Sequence, residues 1–209
     1  LDAALSLHPG PRFTFGSMRQ EHKRAIEKYF FVTRRQEMAR MAVTAASFAR
    51  VGGPAVRLTG SDIAAVNRLY STEGGRTSYR PEHLDEGVYF GIIEDGKLVS
   101  IAGTHVVSPA EGIAVVGNVF THPRCRGRGL ATAATSAATA ELLERCPLVV
   151  LTVETGNAPA VSAYRRLGFE DQCTLHETPL IRKEPFGAIS LARRIAARWR
   201  GHGKEVVGR

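Results

Sequence analysis

The sequence predicts an α/β protein built around a mixed sheet, with a small N-terminal α/β extension and a C-terminal helical tail. From Ala55 onward, segments with the apolar periods of strands and helices follow one another in the order β-α-β-β-β-α-β-α-β. Hydrophobic residues make up 44% of the chain and charged residues 23%, which is enough apolar content for a buried core. This composition excludes a disordered or collagen-like chain.

The N-terminal extension ends at the Val-Gly-Gly-Pro break at 51–54. Apolar residues at helical spacing predict a helix over about residues 18–29. The following segment at 39–45 fits a strand and a continued helix equally well, so both interpretations stay open. The predicted divisions of the chain are an extension at 1–54, a main domain at 55–183 and a basic amphipathic tail at 184–209.

The first half of the main domain predicts a strand, a helix and a hairpin. Residues 55–58 predict a short strand, after which Thr59 or Ser61 caps a helix with one apolar face. A polar, glycine-rich loop follows at 74–78. Apolar segments on both sides of the Glu-Asp-Gly turn at 94–96 then predict a β-hairpin over residues 88–102.

The second half of the main domain alternates strands with helices. In chain order it predicts a strand at 113–121, an alanine-rich helix at 130–145, a buried strand at 148–153, a short helix between 156 and 168, and one or two strands at 169–181. Pro147 ends the first of these helices. The second has Pro159 near its start and Gly168 just past its end, which is the usual placement of both residue types.

Most of the net positive charge lies in the tail. The formal net charge is +8, and residues 187–209 carry six arginines or lysines against one glutamate, so +5 belongs to this segment. Leu191, Ile195 and Trp199 recur every four residues beside arginines, which predicts an amphipathic helix. The chain has no nucleic-acid recognition motif, and nucleic acid is therefore not the expected partner.

Cysteine content and hydropathy favour a cytoplasmic protein. The three cysteines, Cys125, Cys146 and Cys173, form no C-x-x-C pair and suggest no disulfide framework. No segment approaches the roughly 18 apolar residues that a membrane-spanning helix needs. No signal peptide is visible, although a leader removed before Leu1 would leave no trace. Histidines and cysteines show no metal-ligand spacing, so no metal is expected.

The segment at 124–131, Arg-Cys-Arg-Gly-Arg-Gly-Leu-Ala, concentrates the chemistry. It joins a predicted strand to a predicted helix, where unpaired backbone N–H groups and the helix dipole favour a phosphate. Its two glycines allow a ligand to approach the backbone, and its three arginines add positive charge. From the residues alone, a tight turn with solvated arginines is an equal alternative. Neither a Walker loop nor a G-x-G-x-x-G dinucleotide fingerprint fits the segment.

Residues 118–131 as a whole resemble the acetyl-CoA-binding core of the GNAT (GCN5-related) N-acetyltransferase superfamily, in which an apolar strand precedes a [QR]-x-x-G-x-[GA] loop. Asn157 and the segment Tyr164-Arg-Arg-Leu-Gly-Phe169 resemble the family's N…Y-x-x-x-G-F element, in the right order. The resemblance covers about residues 55–181. It implies a mixed, mostly antiparallel sheet flanked by helices.

The resemblance also implies partners and site residues. Acetyl-CoA would be the co-substrate and an amine-bearing molecule the acceptor. The Val119 N–H would face the thioester oxygen, and Tyr164 would protonate the departing thiolate, with a core aromatic as the alternative for Tyr164. Asn157 would lie near the cofactor arm, with a simple helix cap as its alternative. The other implied cofactor-binding residues are Phe120 and Thr121 for pantetheine, and Arg124, Cys125, Arg126, Gly127, Arg128, Gly129 and Leu130 for pyrophosphate.

The general base is where the chain departs from the family pattern. Several family members carry a glutamate at the position of Val115, which cannot accept a proton. His105 on the preceding strand is the preferred substitute, because a neutral imidazole accepts a proton near neutral pH. A structural histidine and a chain of water molecules are the alternatives. Glu73, Glu154 and His122 are further candidates.

These expectations combine into an acyl-CoA-dependent N-acetyltransferase that acts by direct attack in a ternary complex. Two alternatives remain at this point. The missing carboxylate at Val115 leaves open a non-catalytic acyl-CoA-binding sensor. The arginine-rich loop and the basic tail leave open a polyanion-binding module.

Overall fold

The computed structural model describes residues 1, 5, 12–74, 79–184, 188–189, 191–192 and 195–196. The chain forms two compact units, one of residues 1–38 and 174–209 and the other of residues 39–173. Most of the loop predicted at 74–78 and most of the predicted tail helix, Trp199 included, lie outside the described residues. None of the helices in the described ranges is long and apolar enough to cross a bilayer.

In the first unit, β1 (Phe13–Met18) and β2 (Phe30–Val32) both pair antiparallel with β9 (Glu170–Arg182). Helix α1 (Lys23–Tyr29) lies between β1 and β2 in the chain. A small apolar core forms from Met18, Ile26, Tyr29, Phe30 and Leu180. The helix predicted over 18–29 is wrong at its start, because Met18 ends a strand and the α-helix begins only at Lys23.

The remaining elements, in chain order, are β3 (Gln36–Val43), β4 (Ala55–Arg57), α2 (Ile63–Tyr70), α3 (Pro81–Glu86), β5 (Phe90–Glu94), β6 (Lys97–Ser108), β7 (Ile113–Thr121), α4 (Leu130–Leu143), β8 (Leu148–Glu154) and α5 (Ala158–Arg166). Their strands lie in the order β3-β8-β7-β6-β5-β4. The β4–β5, β5–β6 and β6–β7 pairs are antiparallel, and the β7–β8 pair is parallel. The predicted mixed, mostly antiparallel sheet with flanking helices is therefore confirmed.

Several predicted boundaries change in the structure. The segment at 39–45, which fits a strand and a helix equally well by sequence, belongs to strand β3 up to Val43. Strand β6 continues to Ser108, six residues beyond the end of the predicted hairpin. Helix α3 was not predicted, because its six residues are too few to show a helical period. Its start nevertheless has a local signal, since Pro81 occupies the first helical turn.

Two clusters of buried side chains cover the two faces of this sheet. Adjacent residues of β6, Ile101 and Ala102, belong to different clusters, as expected where side chains alternate between faces. Helix α4 packs against β5, β6 and β7 and buries Ala133, Ala134 and Ala138. Because protein interiors are close-packed, such small side chains bring a helix close to its strands.

Gly168 ends helix α5 in a conformation that no other residue can adopt without strain. Its φ is 87°, and a Cβ at this position would collide with the carbonyl oxygen of Ser47. We expect Gly168→Ala to lower the free energy of unfolding by about 3 kcal/mol or more, from backbone strain and overpacking together.

Gly74 provides a matched control, since its φ is 78° and an added methyl group would meet no atom of the described residues within 4 Å. Gly74→Ala should therefore cost only the backbone strain of about 1–2 kcal/mol. Urea denaturation measures both variants. Equal losses would show that the contact with Ser47 has no energetic consequence.

Candidate functional site

The candidate site begins where two parallel strands separate. Strands β7 and β8 pair from Ile113 and Leu148 up to Val116 and Leu151. Beyond that point β7 continues to Thr121 and β8 to Glu154 without further pairing to each other. Backbone groups along residues 117–121 on the side of β8 therefore need partners other than that strand.

A β-bulge lies on β7 just beyond the point where this strand stops pairing with β8. Asn118 and Val119 together lie opposite Ala102 of β6, so β7 carries one extra residue there. Asn118 has a left-handed φ of 53°, a conformation that asparagine tolerates better than most residues. A bulge bends its strand, and this one does so just after β7 leaves β8.

The loop after β7 has the conformation of an anion-binding site. Gly127 and Gly129 both have a φ of 76°, and Gly129 immediately precedes α4. Within the part of the chain that the structure describes, a Cβ at either position would meet nothing within 4 Å, so the backbone angle is what requires glycine. No acceptor among the described residues pairs with the backbone N–H groups of 129–132. These groups point from the positive end of a helix and suit a phosphate.

The three arginines of this loop have different surroundings. Arg126 donates to Oε1 of Glu73 at 2.7 Å, and Arg128 makes two parallel bonds of 2.8 Å to the carboxylate of Glu94. Arg124 lines a neighbouring cavity of about 500 Å³. Two of the three predicted cations are therefore already paired with carboxylates.

One cavity of about 780 Å³ is bordered by the unpaired end of β7, the glycine loop, the first turn of α4 and one side of α5. The predicted site residues that line it are Val119, Phe120, Thr121, Cys125, Arg126, Gly127, Gly129, Leu130, Asn157 and Tyr164. Arg124 and Arg128 are not among its lining residues. The fold thus brings most of the predicted cofactor residues to one place, and their roles stay predictions.

Tyr164 is buried in the wall of this cavity. Its ring packs edge-on against Phe169, with ring centroids 6.1 Å apart. Burial alone raises the pKa of Tyr164 to about 12, so the phenol keeps its proton at neutral pH. Its hydroxyl has no hydrogen-bond partner among the residues that the structure describes, which leaves the O–H for a group in the cavity. Asn157 lines the same cavity and caps α5 through a 3.3 Å bond from the Ala160 N–H.

His105, the preferred candidate base, lies away from the lining of this cavity. It is the extra residue of a second bulge, on β6, because Thr104 and Val106 pair with consecutive residues of β7. Its side chain is exposed, and the imidazole lies across Gly117. The bulge explains why the His105 side chain is exposed, since an unpaired residue need not follow the alternation of side chains between the two faces of the sheet.

The other candidate bases also have identified positions. Glu73 lines the cavity, where Arg126 holds its carboxylate. His122 caps the turn after β7, with Nδ1 accepting from the Arg124 N–H at 3.3 Å, and Glu154 is exposed at the end of β8. Within the described ranges, no group of three or more His, Cys, Asp or Glu side chains could hold a metal ion.

Sequence reasoning missed a hydrogen-bonded cluster around Asn118. Tyr79 Oη donates to its Oδ1 at 2.6 Å, and its Nδ2 donates to Tyr89 Oη and to the Thr104 carbonyl, each at 3.1 Å. Tyr70 Oη donates to the Asn118 carbonyl. Burial raises the pKa of all three tyrosines. The left-handed asparagine leaves no trace in the sequence, because its partners lie up to 48 residues away.

Buried tyrosines should make the protein sensitive to alkaline pH. Tyr164 loses its proton near pH 10.0 in the unfolded state but only near pH 12 in the folded state. The contribution of this group to the free energy of unfolding is therefore fully present below pH 10 and is lost as the pH rises from 10 to 12. For this one group, the free energy of unfolding falls by at most about 1.4 kcal/mol per pH unit. We expect Tyr164→Phe to flatten the alkaline fall in the free energy of unfolding, measured by urea denaturation. An unchanged slope would contradict this assignment.

Solved structures of other proteins share this fold. A GNAT-family protein from Novosphingobium aromaticivorans superimposes with a TM-score of 0.66 at 23% identity, over 88% of this chain and 80% of that one. A GCN5-related N-acetyltransferase from Kribbella flavida gives a TM-score of 0.58 at 22% identity, over 82% and 68%. At these identities the likeness concerns the fold alone.

Two curated relatives are similar over shorter stretches. A mycothiol acetyltransferase of Tsukamurella paurometabola is 38% identical over 78 residues, which is 37% of this chain and 27% of that protein. The mycothiol acetyltransferase of Corynebacterium jeikeium is 56% identical over 46 residues, or 22% of this chain and 13% of its own length. The chain therefore spans about a quarter or less of these relatives.

The family model of the acetyltransferase (GNAT) family matches residues 62–169, which is more than half of the chain. The matched range contains the bulge, the glycine loop and Tyr164. It also contains most of the sheet whose strands separate at the cavity. The chain therefore belongs to the GNAT family of acetyltransferases.

Proposed function

We propose that this protein transfers the acetyl group of acetyl-CoA to an amine acceptor by direct attack in a ternary complex. The observation that carries the proposal is the 780 Å³ cavity, which the glycine loop, the unpaired end of β7 and Tyr164 line together. Membership of an acetyltransferase family supports the transfer. The mycothiol acetyltransferases that match in part support it too.

The backbone around the cavity fits a long anionic thioester. Amides at 129–132 would bind the pyrophosphate, because they lack protein acceptors and lie at a helix N-terminus. The unpaired edge of β7 at Phe120 and Thr121 would hydrogen-bond the extended pantetheine arm. When bound, acetyl-CoA supplies an acetyl group activated as a thioester.

The residues of the chain then act on the charges that develop during transfer. As the acceptor nitrogen bonds to the acetyl carbon and the carbon–sulfur bond breaks, Val119 N–H would stabilise the negative oxygen. Tyr164 would give its phenolic proton to the departing sulfur. The attacking nitrogen would lose its extra proton, which would return to the phenolate through water, so that amide, thiol and phenol all end neutral. The acceptor must first lose its ammonium proton. Glu73 already pairs with Arg126 and His105 lies outside the cavity lining, so we assign this proton to water at the cavity.

We assign this activity to residues 55–183 and to the cytoplasm. The cysteines at 125, 146 and 173 are all free thiols, which suits a reducing compartment.

Assaying free CoA release with a panel of amines tests the function directly. Release that depends on an amine supports the enzyme. Binding of acetyl-CoA without release for any amine favours the sensor, and a thermal shift with an oligonucleotide but not with acetyl-CoA favours the polyanion-binding module.

The glycine loop gives a specific test of the cofactor position. Gly129→Asp places a negative charge and a side chain where the pyrophosphate would bind. We expect acetyl-CoA affinity, measured by calorimetry, to fall at least about 30-fold, or 2 kcal/mol, as for loss of a charged hydrogen-bonding site.

Gly96→Asp is the matched control for this variant. Gly96 has a φ of 70° and no described residue within 4 Å of an added Cβ, so the substitution adds similar strain and the same charge at the β5–β6 turn. Its affinity should stay near that of the wild type. If both variants bind acetyl-CoA equally well, the pyrophosphate binds elsewhere.

Tyr164→Phe separates the proposed acid from a packing role. Phenylalanine keeps the ring against Phe169 and removes only the hydroxyl, so the melting temperature and acetyl-CoA affinity should stay nearly unchanged. We expect kcat to fall roughly 10-fold or more, at the low end for general acids because a thiolate is a stable leaving group. Wild-type turnover with chemistry rate-limiting would reduce Tyr164 to a packing residue.

A further inference from the structure

Asn118 connects the two bulges of the sheet. It belongs to the bulge on β7, and the bulge on β6 lies at His105, next to Thr104. The side-chain Nδ2 of Asn118 donates to the Thr104 carbonyl at 3.1 Å and to Tyr89 Oη at 3.1 Å. Tyr89 Oη in turn donates to the same carbonyl at 3.0 Å. The two irregular strands are thus tied together by one carboxamide.

The orientation of this carboxamide follows from its partners. A carbonyl oxygen only accepts hydrogen bonds, so the atom facing Thr104 must be the nitrogen. Oδ1 then faces Tyr79, whose hydroxyl donates to it at 2.6 Å. The backbone carbonyl of Asn118 accepts from Tyr70, and the Tyr70 ring stacks on Tyr79 with centroids 5.0 Å apart.

These bonds restrain the backbone as well as the side chain. Asparagine in the left-handed region costs backbone energy that surrounding contacts must offset. Here the carbonyl of Asn118 and both polar atoms of its side chain have partners from α2, from β6 and from either side of α3. The bulge is therefore held from several directions, and the next residue, Val119, lies in the cavity wall.

We propose that Asn118 is a positioning residue for acetyl transfer, whose hydrogen-bond network fixes the bulge and so holds the Val119 N–H at the cavity. This inference rests on the proposed function and adds a residue to it. An oxyanion donor is effective because it is in place before charge develops, and a small displacement removes much of its effect. Asn118 contributes no atom to the reaction itself.

Asn118→Asp tests the network with little change in size. Aspartate also tolerates the left-handed region, but it has no N–H donors and sets a carboxylate oxygen against the Thr104 carbonyl. Tyr79→Phe is a milder variant that removes only the donor to Oδ1. Tyr29→Phe, which removes a hydroxyl from α1 in the first unit, is the control.

We expect kcat to fall about 10- to 100-fold in Asn118→Asp and about 3- to 10-fold in Tyr79→Phe, consistent with a displaced oxyanion donor. The affinity for acetyl-CoA should stay within about three-fold of wild type, because the pyrophosphate amides are untouched. Tyr29→Phe should match the wild type in both. Loss of thermal stability with wild-type kcat in the folded fraction would overturn the proposal, since that is the result of a merely structural role.

A measurement without turnover keeps the inference separate from the proposed function. In the isolated protein, the ¹⁵N–¹H resonance of Val119 should be single in the wild type and in Tyr29→Phe. It should shift or broaden in Asn118→Asp and in Tyr79→Phe. An unchanged Val119 resonance in both network variants would overturn the proposal. A wild type that acetylates no amine would instead overturn the proposed function, while the resonance still decides whether Asn118 holds the bulge.

Discussion

The hydrogen bonds that β7 and β8 stop making beyond Val116 are the constraint on which the site depends. A strand cannot leave its neighbour without finding other partners for its backbone groups, because unpaired buried amides and carbonyls are costly. On the other side, β7 stays paired with β6 through a bulge and the polar cluster around Asn118. On the β8 side it leaves backbone groups that an extended ligand can pair with.

The glycine loop completes the arrangement because it follows the same strand. β7 ends at Thr121, a short turn at Pro123–Cys125 reverses the chain, and α4 begins at Leu130. Strand separation and a helix N-terminus therefore lie within one short stretch of sequence. Tyr164 reaches the same cavity from α5, whose length Gly168 sets. The unpaired end of β7, the glycine loop and α5 thus border one cavity.

The sequence predicted those parts of the site that depend on local rules. The glycines at 127 and 129, the strand before them and the helix after them are neighbours in the chain, so their junction is visible in a single segment. The Asn118 cluster is different, because Tyr70 and Tyr79 meet it only after folding. The position of His105 likewise could not be predicted from one segment of the sequence. Its place on the strand before the cofactor motif suggested a base near the cofactor, but a bulge depends on residue counts in two strands at once.

The buried face of α4 ties this site to the volume of the core. Ala134 and Ala138 are fully buried, with Ala133 beside them, and their methyl groups set how closely the helix lies to the sheet. A rigid helix moves as one body. Any larger side chain on this face therefore lifts the amides at its first turn away from the strand ends. The depth of the candidate anion site thus depends on side chains such as Ala138, about two turns further along the helix and buried in the core.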